Sequence, residues 1–308
     1  MTRRRPKFHR IPRIVLMALA TLASGCAVSH TTVVKPSEAP APLQTATKQD
    51  LIARYNDQAE AVTSLNASVK MTLTAGSAYT GVIKQYHEVN GFILAQKPAS
   101  IRAIGQAPVV GTNIFDMVSD GDTFHIFIPS QHKFLAGPTK LERPSAKPIE
   151  NLRPQHLTGA MFWRSIPERA PVLFEEASEA GSQYYVLTVV RSAKGEGSNG
   201  TVETSVSDWE VAKRIWFDRS NLTIARIETF ESGGKIDSDV RYSGWDTFGT
   251  VKFPRQISLA RPANDYKLQI GITKLTPNEA ISADRFVLEQ PPGTELVNVG
   301  SESQGTKQ

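Results

Sequence analysis

The sequence predicts a mainly β (α+β) fold of about ten antiparallel strands with two or more helices. Three observations predict it. Leu65 to Ala75 alternates without a break. Leu65, Ala67, Val69, Met71, Leu73 and Ala75 are apolar, while Asn66, Ser68, Lys70, Thr72 and Thr74 are polar. One face of that strand therefore meets an apolar layer and the other meets water. Phe92 to Phe134 is a series of short apolar runs cut by turn residues, the pattern of a meander. Only two stretches repeat at helical spacing.

Taken in order, the chain of 308 residues opens on a secretory signal over residues 1–25. Arg3, Arg4, Arg5, Lys7, Arg10 and Arg13 make a basic start, and Ile14 to Leu22 is too short to cross a bilayer. Ala23-Ser24-Gly25-Cys26 follows. Cys26 is the single cysteine of the chain, so no disulfide explains it. The formal charge of +5 belongs to that start: removing its six cations leaves 29 basic against 30 acidic residues. The rest of the chain has no basic footprint for nucleic acid.

Residues 26–46, rich in Ala, Thr, Ser and Pro, read as a flexible tether. Thr47 and Asp50 form a capping-box pair for a helix running to about Leu65, whose apolar stripe is Leu51, Tyr55, Ala59 and Val62. After the alternating strand and a weaker one over residues 80–89, Lys97-Pro98 ends a strand and Asp120-Gly121 supplies a tight hairpin turn. Phe124, Ile126 and Ile128 share one face of the returning strand, opposite His125 and Phe127. Four prolines between Pro138 and Pro154 mark a loop, and residues 154–163 a second helix, either packed or a movable lid.

Strands resume at Tyr184 to Val190. Residues 193–207 are a polar, glycine-bearing excursion. The pairs 209–217 and 222–230 form a hairpin around Asp218 to Asn221. Residues 240–245, 251–259, 266–272 and 285–288 complete the strands, Gln290 to Gly293 closes the fold, and 297–308 is a disordered tail. The folded domain is thus expected over 47–296. Ten strands with two helices present more apolar face than the helices cover, so the sheet closes on itself or leaves a groove.

No catalytic set is legible. Histidines 30, 87, 125, 132 and 156 lack metal-pair spacing, and no nucleophile elbow, Walker loop or dinucleotide fingerprint occurs. Asp120, Asp122 and His125 cluster because a hairpin turn needs the aspartates, and Glu175, Glu176 and Glu179 read as solvated surface. The expectation is no enzyme, no metal and no cofactor.

Lys97-Pro98, Ser119-Asp120-Gly121 and Phe124 to Pro129, in that order, resemble the core motif of the LolA/LolB lipoprotein carrier and receptor family and related bacterial lipoprotein domains. The resemblance spans roughly residues 48–293. It implies a strongly curved, open antiparallel sheet, an unclosed barrel, with helices on the concave face and acyl chains of lipids or lipoproteins held between. The segment before Cys26 similarly resembles a lipobox, which implies that Cys26 carries the lipid anchor. Ala27 after it implies sorting to the outer membrane, facing the periplasm. The groove would be lined by Val69, Met71, Leu73, Phe92, Leu94, Phe124, Ile126, Ile128, Ile224, Ile270 and Ile272. In that family an arginine near the sheet bonds the lid; Arg102 is either that arginine or a solvent-facing one. The expected function is acyl-chain binding for envelope lipid or lipoprotein transport. The alternative is an interaction or sensor lipoprotein that binds an envelope protein partner, its groove filled by side chains.

Overall fold

In the computed structural model the described residues are 42–76, 83–140, 152–193 and 209–299. The signal segment, Cys26, most of the tether, the loop 141–151, most of the 193–207 excursion and all but the first three residues of the tail lie outside them.

Fifteen strands, rather than about ten, form one sheet among the described residues. They are β1 (Ser64–Ala75), β2 (Lys84–Gln85), β3 (Val89–Gln96), β4 (Ser100–Gln106), β5 (Asn113–Ser119), β6 (Thr123–Ile128), β7 (Lys133–Pro138) and β8 (Val172–Glu179). There follow β9 (Ser182–Ser192), β10 (Trp209–Asp218), β11 (Ile224–Phe230), β12 (Ile236–Phe248), β13 (Val251–Arg261), β14 (Tyr266–Pro277) and β15 (Glu295–Asn298). The strand order is β15-β7-β6-β5-β4-β3-β1-β14-β13-β12-β11-β10-β9-β8, with β2 on β1 beside this path. Two meanders meet where β1 pairs β14. The path never returns to its start, so the sheet is open, with β15 and β8 at its ends.

Two helices, α1 (Lys48–Glu60) and α2 (Pro154–Met161), lie on one face of this sheet. α2 touches β4, β5 and also β13. In a flat sheet β4 and β13, four places apart, would be separated by roughly 19 Å. A helix of eight residues, about 12 Å long, reaches both because the sheet curves around it.

α1 begins where expected. Thr47 Oγ1 accepts from Asp50 N and the Asp50 carboxylate accepts from Thr47 N, the reciprocal capping box. It stops at Glu60 rather than near Leu65, because the chain from Ser64 is taken into β1. Leu51, Tyr55 and Ala59 are its buried stripe.

One strand is added and two further expectations are corrected. The acidic stretch Glu175 to Glu179 belongs to the edge strand β8, where charge discourages pairing with another chain. Residues 285–288 are not a strand: a 3-10 turn occupies Ala283–Phe286. Nor does Gln290 to Gly293 end the fold. That turn brings the chain back as β15, which pairs parallel with β7 through Asn298.

Candidate functional site

The register decides which side chains face the helices. Along successive strands Ala67, Ile93, Ala103, Met117 and Ile126 are paired neighbours and share the helix side. Val69, Met71 and Leu73 stand opposite Ile272, Ile270 and Leu268 on the same side. Seven of the predicted lining residues, Val69, Met71, Leu73, Ile126, Ile224, Ile270 and Ile272, belong to one apolar cluster with the helices. Phe124 is buried outside that cluster, beneath the Arg153 guanidinium, and Ile128 is half-buried on the same side of β6.

Phe92 and Leu94 are elsewhere. They pair with Ser68 and Asn66, on the opposite face, and Phe92 is 44% exposed. The reason lies in Gly91, Ile93 and Ala95, which take the helix side of β3. A Cβ at Gly91 would come within 2.7 Å of Met71 Cε and 2.5 Å of Ile104 O. The crowded inner surface takes the small residues, and the bulky Phe92 is turned outward.

The inner face is covered rather than empty. Met71 is 4% exposed and Ile270 0%. The cover is sewn together by polar bonds. Asn56 on α1 donates to Ile166 O (3.1 Å) and accepts from Ile166 N (2.8 Å). Trp163, just past α2, stacks on Tyr55 and meets Tyr242 edge-on. Its Nε1 donates to Tyr242 Oη at 2.9 Å, and that hydroxyl donates to Ala160 O at 2.9 Å. Lys213 Nζ, on the helix side of β10, donates to Tyr55 Oη at 2.9 Å. Burial, and then the nearby Arg164, press the Lys213 ammonium down to about 8.

The motif that carries the family resemblance has structural work here. Lys97 Nζ donates to Ala59 O, satisfying a carbonyl at the C-terminal end of α1, and stands over the Phe162 ring. Ser119, Asp120 and Gly121 close the β5–β6 hairpin: Asp120 accepts from the amides of Asp122 and Thr123, and Ser119 Oγ accepts from Gly121 N. The two aspartates are turn residues. Among the described residues no group of three His, Cys, Asp or Glu is placed to hold a metal ion.

Arg102 does not touch the cover. It lies on the outer face, forks onto Asp116 at 3.0 and 2.7 Å, and donates to Arg285 O at 3.1 Å. Its role there is to hold the returning C-terminal segment against β4.

Beside α2 the covering layer gives way to a cavity of about 1090 Å³. Its floor includes Ala160, Val240 and Leu259, which also belong to the apolar cluster under the helices. Its walls are polar, from Arg153, Gln155 and His156 on one side to Asp237 and Arg261 on the other. His156 is hydrogen-bonded through Nδ1 to Tyr266 Oη. Burial, followed by Arg261 and Arg153, lowers its pKa to about 2, so the imidazole stays neutral. Nothing in the sequence pattern points to this cavity. Its residues come from the segment after β7, from α2 and its flanks, and from β11, β12, β13 and their turns, and have no common spacing.

No family model and no curated protein matches the chain. Among solved structures it is similar to a LolA superfamily protein from Nitrosomonas europaea, at 13% identity over 79% of this chain and 99% of that one, TM-score 0.45. It is also similar to a DUF1329 family protein from Desulfovibrio piger, at 13% identity over 77% and 95%, TM-score 0.47. A third likeness is to a domain described as outer membrane lipoprotein-sorting from Vibrio parahaemolyticus, at 10% identity over 76% and 94%, TM-score 0.43. Such likeness assigns no activity to this chain.

Proposed function

We propose that this chain is a non-enzymatic, lipid-anchored protein of the bacterial envelope that takes up acyl chains of lipids or lipoproteins between its sheet and its helices. Cys26 would carry the anchor, in the outer membrane and facing the periplasm. One observation carries the reading. Among the described residues the apolar inner face is covered by α1, α2 and residues 162–166, and beside α2 that layer opens into a cavity whose floor is the same apolar cluster.

Uptake then requires α2 and residues 162–166 to lift, so that a chain replaces their side chains on Met71, Ile126 and Ile270. Burying most of a sixteen-carbon chain would contribute on the order of 10 kcal/mol at about 0.8 per CH₂. Set against it are the polar latches, at about 1 kcal/mol each, and the burial of the cover's own side chains such as Leu157, Met161 and Trp163, at about 1.5–3 kcal/mol each, so the two states are close in energy. The full chain carrying Cys26→Ser, purified without detergent, is the material for the test. Native mass spectrometry and organic extraction should show bound lipid, reduced in a Met71→Glu variant that keeps its fold. A clean apo mass that also refuses fluorescent fatty acid would sink the proposal.

A second reading, a sensor or interaction lipoprotein with its groove permanently filled, is favoured by the near-complete burial of Met71 and Ile270. The apo outcome, together with a stoichiometric protein partner in envelope crosslinking, would select it.

A further inference from the structure

We propose that Lys213, on the inner face of the sheet, receives the carboxylate of an ionised fatty acid whose chain lies under the cover. This rests on the acyl-chain reading above and narrows it, because an acyl chain in ester or amide linkage brings no charge to Lys213.

The place is an apolar one. Lys213 is half-buried and pairs across the sheet with Val189 on β9 and Thr229 on β11. Ile215, next on the same side of β10, is wholly buried in the apolar cluster. From α1 comes Tyr55, whose hydroxyl accepts from Nζ at 2.9 Å and whose ring centre lies 5.2 Å away. From the segment after α2 comes Arg164, whose carbonyl oxygen stands at 3.5 Å, the limit of a hydrogen bond. No carboxylate answers the charge: among the described residues Lys213 forms no ion pair. Glu210, earlier on β10, accepts from Gly233 N at 3.0 Å and lies 3.7 Å from Arg191. Beyond burial, the charge that acts on Lys213 is that of Arg164, which is also positive. A methionine would fill this space without the cost of drawing an uncompensated ammonium out of water.

Lys213 also stands where the cavity meets the covered face. Its neighbours Thr229 and Arg164 line the cavity, while Tyr55 and Ile215 belong to the apolar cluster. Residues 162–166 are the part of the cover that uptake lifts. Their departure removes the Arg164 carbonyl and the Trp163 ring stacked on Tyr55. The ammonium has three donors; it keeps Tyr55 and turns the others to the space that opens. The tail then has a track. Ile215, Ile227, Val240, Leu259 and Leu268 are successive cross-strand partners, all buried in the cluster. Four strand spacings make about 19 Å, a length suited to one long acyl chain. One ammonium at the head of one apolar row fits a single chain with a single negative charge.

The test compares dodecanoate with dodecanol, at concentrations where neither self-associates, on the full chain with Cys26→Ser. Two companions add Lys213→Met or Lys213→Arg. At pH 7 dodecanoate should bind about tenfold or more tighter than dodecanol, the effect of a charge-assisted hydrogen bond. That preference should fall to about threefold or less with Lys213→Met and persist with Lys213→Arg. It should also vanish between pH 7 and pH 10 in the parent protein. Over that range Lys213, at about 8, gives up its proton, while the carboxylate stays ionised. Tyr55, the other titratable side chain against it, is kept neutral by burial. In the Lys213→Arg protein the guanidinium stays charged, so the preference should hold at pH 10. Equal binding of the two amphiphiles by the parent protein would overturn the role of Lys213 and leave the acyl reading standing. A preference unmoved by Lys213→Met would overturn it as well, since the carboxylate would then be held elsewhere. Binding of neither amphiphile would defeat both readings.

Discussion

Replacing Tyr242 with Phe separates a cover that lifts from one that does not. Tyr242 Oη accepts from Trp163 Nε1 and donates to Ala160 O, both at 2.9 Å and both in the buried layer. Burial keeps the phenol protonated by raising its pKa. Phenylalanine leaves one buried donor and one buried acceptor without partners, each costing about 1–3 kcal/mol. Partial relaxation brings the expected loss to about 2 kcal/mol in urea unfolding. In the lifted state those groups meet water in either protein, so the substitution weakens the covered state alone. The covered-to-open equilibrium should therefore shift by the same amount, and apparent affinity for a fluorescent fatty acid should rise by up to about 30-fold. If stability falls by 1 kcal/mol or more while affinity stays fixed, acyl chains do not enter by lifting this segment.

Three other outcomes are expected. His156 has a folded pKa of about 2 against an ordinary 6.5, so below pH 6.5 the unfolded chain binds the extra proton. Its contribution to stability is complete above that pH and is lost on acidification. The wild type should lose about 2 kcal/mol more than His156→Gln between pH 7 and pH 5, and parallel curves would refute it. Lys213, lowered to about 8 from 10.5, likewise binds fewer protons when folded. Stability should rise by roughly 2 kcal/mol from pH 8 to 10.5 in the wild type, and Lys213→Met should abolish the rise in pH-dependent unfolding. Arg102→Ala strands the Asp116 carboxylate, 11% exposed, at a cost of about 2–3 kcal/mol. Hydrogen exchange should quicken over residues 283–298 while fatty-acid uptake stays the same; altered uptake would return Arg102 to the lid.

Much of the fold was legible because it is written in local pattern. The alternation of Leu65 to Ala75 gives β1 and its faces, and Thr47 with Asp50 gives the start of α1. Asp120-Gly121 and Asp218 to Asn221 give their hairpins. β8 escaped because VLFEEASE carries the charge of an edge strand instead of alternating hydrophobicity. β15 escaped because its four residues lie beyond a Pro-Pro-Gly turn and pair parallel with a distant strand.

The sequence by itself determined the class of the fold, the apolar composition of the inner layer and the segments that bear helices. Only the tertiary structure decided the phase of β3. Phe92 and Leu94 fit either face by hydrophobicity alone, and the room beside Met71 admitted Gly91 instead. Tertiary structure also decided that Arg102 binds the C-terminal segment. It likewise gathered Lys140, Arg153, Arg164, Lys235 and Arg261 around one cavity. The physical reason is the range of the forces. Periodicity and turn preference act between residues a few places apart, whereas packing space and electrostatic potential depend on how a curved sheet brings distant strands together.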